Sequence, residues 1–323
     1  MKLSQQVLHN LLFAMMRIRG VQQAIELRYP ENEMQTPVHL CIGQEAVAVG
    51  VCANLKKKDY ISSNHRGHGH YLAKGGNLRA LIAELYGRES GCSKGRGGSM
   101  HLVDTAVGHC GSSSIVGGGI PIGTGMGLAI KMQKTKNVST IFLGDGAADE
   151  GVLYESVNFA VLKKLPVIFI LENNQYSVCS HISKRQAGDN VFHTMPAKRL
   201  LSKIVNGNDV LQVYDAVNKA VTRARTGRGP SFIECRTYRI GGHAGCEAHD
   251  IAGYRTTGEI EHWKKLCPVA SFQKQLLKRK IITQRKINKM AEKIENEIRD
   301  AFEFALKSSY PEPQTLSHYL FNE

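Results

Sequence analysis

Residues 144–151 read GDGAADEG directly behind the apolar run VSTIFL, and residues 172–176 read ENNQY directly behind PVIFIL. Alone, Asp-Gly is a turn dipeptide. Two short apolar runs joined by a helical pattern make a βαβ unit, whose right-handed crossover sets the strands parallel. In such a sheet the ligand crevice lies beyond the carboxyl ends of the strands. Asp145 and Asn173-Asn174 then emerge side by side, although Asp145 and Asn174 lie 29 positions apart. A carboxylate, a carboxamide oxygen and a backbone carbonyl form a hard, oxygen-only partial shell. That shell suits Mg²⁺, which completes its octahedron with phosphate oxygens and water. Gly144 and Gly146 let a backbone approach a diphosphate, and the N–H groups of the next helix point at it. The pairing favours a metal–diphosphate site over a turn. Asp149 and Glu150 are read as the start of the following helix, where acids suit the dipole.

Competing phosphate motifs fail. No Gly-Lys dipeptide occurs, so there is no Walker loop. Gly123, Gly125 and Gly127 lack the GxGxxG spacing, and the acids at 145 and 149 do not alternate as an EF-hand requires.

The elements that position these residues follow from periodicity. Helical patterns run over 4–28, 44–55 and 78–86, separated by the glycine-rich stretches SNHRGHGHYLAKGG and GCSKGRGGSMH, read as loops. Strands are expected at 138–143, 166–171 and 231–235, with helices over 150–165 and 210–225. Beyond residue 262 the chain becomes helical and charged. The expected architecture is one α/β domain over 1–262, a parallel sheet flanked by helices, with a helical C-terminal extension over 263–323.

Composition narrows the function classes. Forty-two Lys and Arg against 28 Asp and Glu give a net charge of +14, and the excess gathers in 273–293. No helix-turn-helix, zinc or RNA-binding signature accompanies it, so a solvated helix face is expected rather than nucleic-acid binding. No apolar run is long enough for a membrane span, and the first twenty residues lack a signal peptide's apolar stretch. Eight scattered cysteines form no CxxC pair and read as free thiols filling core positions.

Taken together, the motifs resemble one family. GDG, 26 residues, then NN is similar to the thiamine-diphosphate signature. HLCIGQEA (39–46), HRGHGH (65–70), CSKGRGGSMH (92–101), IVGGGIPIGTG (115–125), KLPVIFILENNQY (164–176) and RTYRIGGH (236–243) occur around it in family order. The whole resembles the alpha subunit of thiamine-dependent 2-oxo acid dehydrogenases of pyruvate or acetoin type. The resemblance implies a thiamine-diphosphate-binding fold, with thiamine diphosphate and Mg²⁺ as cofactors. Asp145, the Asn174 side-chain oxygen and the Tyr176 carbonyl would hold the metal. Gly146 and Ala147 would donate N–H groups to the diphosphate, Arg66 would pair with its oxygens, and Ser114 and Val116 would contact the aminopyrimidine through their backbone. His39, His65 and His243 match active-site positions, His65 standing where many relatives carry tyrosine.

The implied chemistry is decarboxylation of a small 2-oxo acid, most plausibly pyruvate, with the acyl group passing to a lipoyl-bearing acyltransferase. The activating glutamate would come from a beta subunit, in a heterotetramer of two alpha and two beta chains. There is little room before the first motif for a mitochondrial presequence, so a bacterial cytoplasm is expected. An acetoin-cleaving alpha subunit and a catalytically silent member acting as a binding module stay open. Departures lie at Ser113 and Ser114, where Asn-Gly is common, and at Glu247 and Asp250, where an aspartate usually steadies the loop. Ala244 and Gly253 replace the serines that kinases phosphorylate in mitochondrial relatives, which argues against that control.

Overall fold

The computed structural model describes residues 3–188, 200–245 and 253–318. A six-stranded, wholly parallel sheet runs in the order β2-β1-β3-β4-β8-β7. The strands are β1 (Tyr60–Asn64), β2 (His109–Ser113), β3 (Ser139–Gly144), β4 (Val167–Asn173), β7 (Leu201–Asn206) and β8 (Ser231–Arg236). A small hairpin, β5 (Tyr176–Ser177) and β6 (Ser180–His181), follows β4.

Strand side chains alternate between two cores. Val167, Phe169 and Leu171 of β4 join Leu153, Val157 and Ala160 of α6 (Gly151–Leu162). Ile168 and Ile170 turn the other way, to Val47 and Val51 of α2 (Glu45–Cys52) and Val213 and Val217 of α7 (Val210–Arg225). The other face of α2 meets a helical layer. It comprises α1 (Gln5–Arg28), α3 (His68–Lys74), α4 (Leu78–Leu85), α9 (Pro268–Lys278) and α10 (Gln284–Lys307), and α8 (Thr257–Lys265) lies alongside. The C-terminal helices share one apolar cluster with α1: Phe272, Leu276, Ile287 and Phe302 are buried, as are Leu12, Met15 and Ile18. No helix among the described residues is long and apolar enough to cross a membrane.

The expected βαβ unit is present, as are the strand at 231–235 and the helix over 210–225. One glycine-rich stretch departs from expectation: SNHRGHGHYLAKGG, read as a loop, holds the end of β1 and all of α3. IVGGGIPIGTG opens α5 (Gly119–Met132). A Cβ on Gly123 would lie 2.4 Å from Ile141, and one on Gly127 2.3 Å from Val167. These glycines let α5 press onto β3 and β4. The small strand residues answer it, since Ser62 Oγ donates to Gly119 O (2.9 Å) and Ser139 Oγ to Gly123 O (2.7 Å). Six parallel strands between helical layers, with a long C-terminal helix, are the expected α/β class.

Candidate active site

Register places the first chemistry-bearing pair. Gly144 of β3 pairs with Glu172 of β4, so Asp145 leaves its strand beside Asn173. Asn173 turns inward, donating through Nδ2 to Glu234 Oε1 at 2.9 Å. Asn174 faces the crevice, its Nδ2 held by Gln44 Oε1 at 3.0 Å and its Oδ1 accepting from Tyr176 N at 3.1 Å. Gln175 (φ 73°) and Val178 (φ 53°) take left-handed backbone conformations on either side of Tyr176. Such strain in a β-branched residue persists only where surrounding structure imposes it. Here the Val178 carbonyl accepts from Arg239 (3.0 Å) and the Gln175 carbonyl from Ile182 N (2.8 Å). The Tyr176 hydroxyl is anchored on Glu259 at 2.9 and 3.0 Å, which leaves its main chain to serve the crevice.

Asp145 is buried and opens a 3₁₀ turn, Asp145–Asp149. Burial raises its carboxyl above the usual range, and the Arg185 guanidinium, donating to both Asp145 and Asp149, opposes that rise. Asp149 therefore does not begin the following helix as expected. It closes the 3₁₀ turn under Arg185 and Gln186, and α6 starts at Gly151 with Glu150 as its cap residue. Gly146 is required by contact: its Cβ would meet Ser177 Oγ at 2.4 Å.

Every site residue named from the sequence lines one cavity of about 210 Å³. Asp145, Gly146, Ala147, Asn174 and Tyr176 form the wall at the strand ends, and Ser114 and Val116 lie on the loop before α5. His39, His65, Arg66 and His243 close the opposite side. Ring centroids stand 4.8 Å apart for His39–His65, 5.1 Å for His39–His243 and 5.6 Å for His65–His243. The other two histidines of HRGHGH serve the scaffold. His68 bonds Ser99 Oγ (2.8 Å) and Gln22 (3.2 Å), while His70 bridges Ser63 Oγ (2.7 Å) and Glu172 (3.1 Å).

Buried guanidiniums bias the histidine side of the cavity. Burial first, then the guanidiniums of Arg66 and Arg239, push His39 down to about 4 and His243 to about 3. His65 is pushed to about 3 by burial, then by Arg66 and His39. All three imidazoles are neutral at pH 7. Burial, then Arg239, lowers Arg66 to about 9. The Arg66 guanidinium donates to the carbonyls of Leu40 (2.8 Å) and His243 (3.1 Å), and among the described residues Nε and Nη1 of the buried Arg239 have no partner. Among the described residues neither guanidinium has a carboxylate within 4.0 Å.

Several contributors were not named from the sequence. Gln44 and Arg239 sit inside quoted motifs, whereas Arg185 carries no local signature. Ser113, one of the departures, accepts from Ile115 N at 3.1 Å and so shapes the loop beside Ser114. Glu247 and Asp250 lie outside the described residues, as does Cys246. The seven described cysteines are free, as expected.

The residues present fit both absent groups. Arg66, buried on the cavity wall and with no carboxylate partner among the described residues, is a donor for a polyanion such as a diphosphate, beside the N–H groups of Gly146 and Ala147. Asp145, Asn174 and the Tyr176 main chain offer one carboxylate and neutral oxygens, the set a phosphate-bound Mg²⁺ takes.

Known proteins resemble the chain over most of its length. The chain is 39% identical over 303 residues to the alpha subunit of acetoin:2,6-dichlorophenolindophenol oxidoreductase from Bacillus subtilis (strain 168), covering 94% of this chain and 90% of that one. It is 35% identical over 310 residues to the pyruvate dehydrogenase E1 component subunit alpha of Porphyra purpurea (94% and 89% covered). Identity to the corresponding Rhizobium meliloti (strain 1021) subunit is 37% over 282 residues (87% and 80%). Residues 13–314 match the family described as the dehydrogenase E1 component, and the chain belongs to that family.

Proposed function

We propose that the chain is the alpha subunit of a thiamine-diphosphate-dependent 2-oxo acid dehydrogenase that decarboxylates pyruvate. The acyl group passes to a lipoyl-bearing acyltransferase, and the working unit is a heterotetramer with a beta subunit in a bacterial cytoplasm. The observation that carries the reading is the common cavity of Asp145, Asn174, Arg66 and the three histidines. Bound thiamine diphosphate supplies the electron sink that loss of carbon dioxide from a 2-oxo acid requires. The chain's own residues hold and orient. Asp145, Asn174 and the Tyr176 carbonyl hold Mg²⁺, while Arg66 and the N–H groups of Gly146 and Ala147 hold the diphosphate. Ser114 and Val116 support the pyrimidine ring through their backbone. His39, His65 and His243, neutral at pH 7, can each donate or accept a proton beside the substrate.

The Bacillus relative supports a second reading, in which acetoin is cleaved. The two substrates are to be compared on one preparation of the alpha–beta complex with thiamine diphosphate and Mg²⁺. The alpha chain alone is expected to be inactive, and turnover by it alone would overturn the proposal. Asp145→Ala in the complex should abolish Mg²⁺-dependent cofactor binding by calorimetry. Unchanged affinity would remove Asp145 from the metal site.

A further inference from the structure

His39 precedes α2, His65 follows β1 and His243 follows β8, so three separate loops deliver three imidazoles to one point. One ring nitrogen from each lies within 4.8 Å of the others, and among the described residues no carboxylate belongs to the cluster. His39 Nδ1 is buried without a well-formed hydrogen bond. A buried polar atom left open calls for a ligand. Neutral imidazole is the metal-binding form, and three imidazoles suit Zn²⁺ and its neighbours rather than Mg²⁺.

We propose that His39, His65 and His243 form an imidazole-only site for a borderline divalent ion of the Zn²⁺ class, chemically distinct from the oxygen-lined corner at Asp145. Tetrahedral Zn–N bonds of about 2.0–2.1 Å need ligand nitrogens roughly 3.4 Å apart, so each imidazole closes by about an ångström. His65 and His243 are half-buried on loops and can make that shift. Arg66 and Arg239 disfavour a bare dication but draw in an anion, and the fourth ligand is accordingly a hydroxide, chloride or phosphate oxygen. Occupation removes all three imidazoles from the cavity, which makes the site inhibitory. That inhibition rests on the function proposed above, whereas ion binding itself follows from the three imidazoles and stands or falls separately.

The test uses the full chain without an affinity tag. Zn²⁺ is titrated by calorimetry, and Co²⁺ is followed by its visible absorption as a four-coordinate probe. One Zn²⁺ per chain is expected, with Co²⁺ giving a tetrahedral spectrum that Zn²⁺ displaces and excess Mg²⁺ does not. His65→Tyr should weaken binding by more than the roughly 10- to 100-fold that loss of an outer hydrogen-bond partner costs. His39→Ala should do the same, and His101→Ala, at an exposed histidine outside the cavity, should leave affinity unchanged. His65→Tyr installs the residue many relatives carry there, so it keeps the test decisive if His39→Ala fails to fold. Unchanged affinity in His65→Tyr, an octahedral Co²⁺ spectrum, or equal loss in His101→Ala would overturn the proposal.

Discussion

Glu84 of α4 is buried, and its carboxylate accepts four backbone N–H groups from a single loop. Ser93 N (2.7 Å) and Gly95 N (3.0 Å) donate to Oε2, and Gly97 N (2.8 Å) and Gly98 N (3.0 Å) to Oε1. The donor glycines are tightly placed, since a Cβ on Gly97 would stand 2.2 Å from His101 O and one on Gly98 2.6 Å from Thr36 Oγ1. The loop continues to Ser99, whose Oγ bonds His68 at 2.8 Å, and to Met100 on the cavity wall. Glu84→Gln conserves shape but replaces one acceptor oxygen with an NH₂ donor. Either flip leaves two N–H groups facing a donor. At about 1–3 kcal/mol for each unsatisfied buried donor, the cost is about 2–6 kcal/mol. That is a large share of a total stability of about 5–15 kcal/mol. Two readouts separate global from local release. Urea unfolding measures the global loss, and trypsin cleavage after Lys94 and Arg96 measures opening of the loop. If the loop detaches, the global loss shrinks and cleavage accelerates. A Glu84→Gln protein within about 1 kcal/mol of wild type and no more sensitive to trypsin would refute the reasoning.

Two further perturbations probe the site's support. Arg255 donates to the carbonyls of Arg239 (2.6 Å) and Gly241 (2.9 Å), fixing the segment after β8 that leads to His243. Arg255→Lys keeps the charge but not the fork; it should cost about 3 kcal/mol and raise amide exchange over 239–243, and unchanged exchange would dismiss the clamp. His109 is buried with neither ring nitrogen well bonded, and burial pushes it from 6.5 to about 3. Between those values the unfolded chain binds the extra proton, so stability falls with falling pH by up to about 1.4 kcal/mol per unit. His109→Phe should flatten the acid limb of the melting temperature between pH 6.5 and 4, and an unchanged limb would count against it.

How far the fold could be read from sequence depended on which face a strand buries. β4 is apolar on both faces and was legible, as was β3. β1 (YISSN) and β2 (HCGSS) carry no apolar run, because α5 lies so close that serines and glycines fill the gap. The same closeness left α5, rich in glycine, without an apolar helical pattern to read. Of the site, the pair Asp145 and Asn174 was legible because parallel register fixes neighbouring strand ends. Arg185 was not, since it reaches Asp145 from the segment after β6 with no spacing rule to connect them. Asp149 misled because an acid near a helix start has two uses, and here the salt bridge to Arg185 prevails over the dipole.

The cavity's charge balance argues that folding leaves this chain half complete. Desolvating Arg66, which has no carboxylate partner among the described residues, is unfavourable for an isolated fold, and the three histidines beside it are held neutral at the expense of acid stability. An anionic ligand turns that unfavourable term into binding affinity, because each buried donor then gains a charged acceptor. The wall opposite is equally unfinished. Ile115, Val116 and Ile122 are exposed on the loop and first turn of α5, and the first two line the cavity. Apolar side chains beside a buried polar crevice raise local electrostatics only when a second surface covers them and excludes water. The alpha–beta arrangement proposed for the enzyme meets both needs at once: the anion neutralises the Arg66 guanidinium, and the partner chain closes the cavity over it.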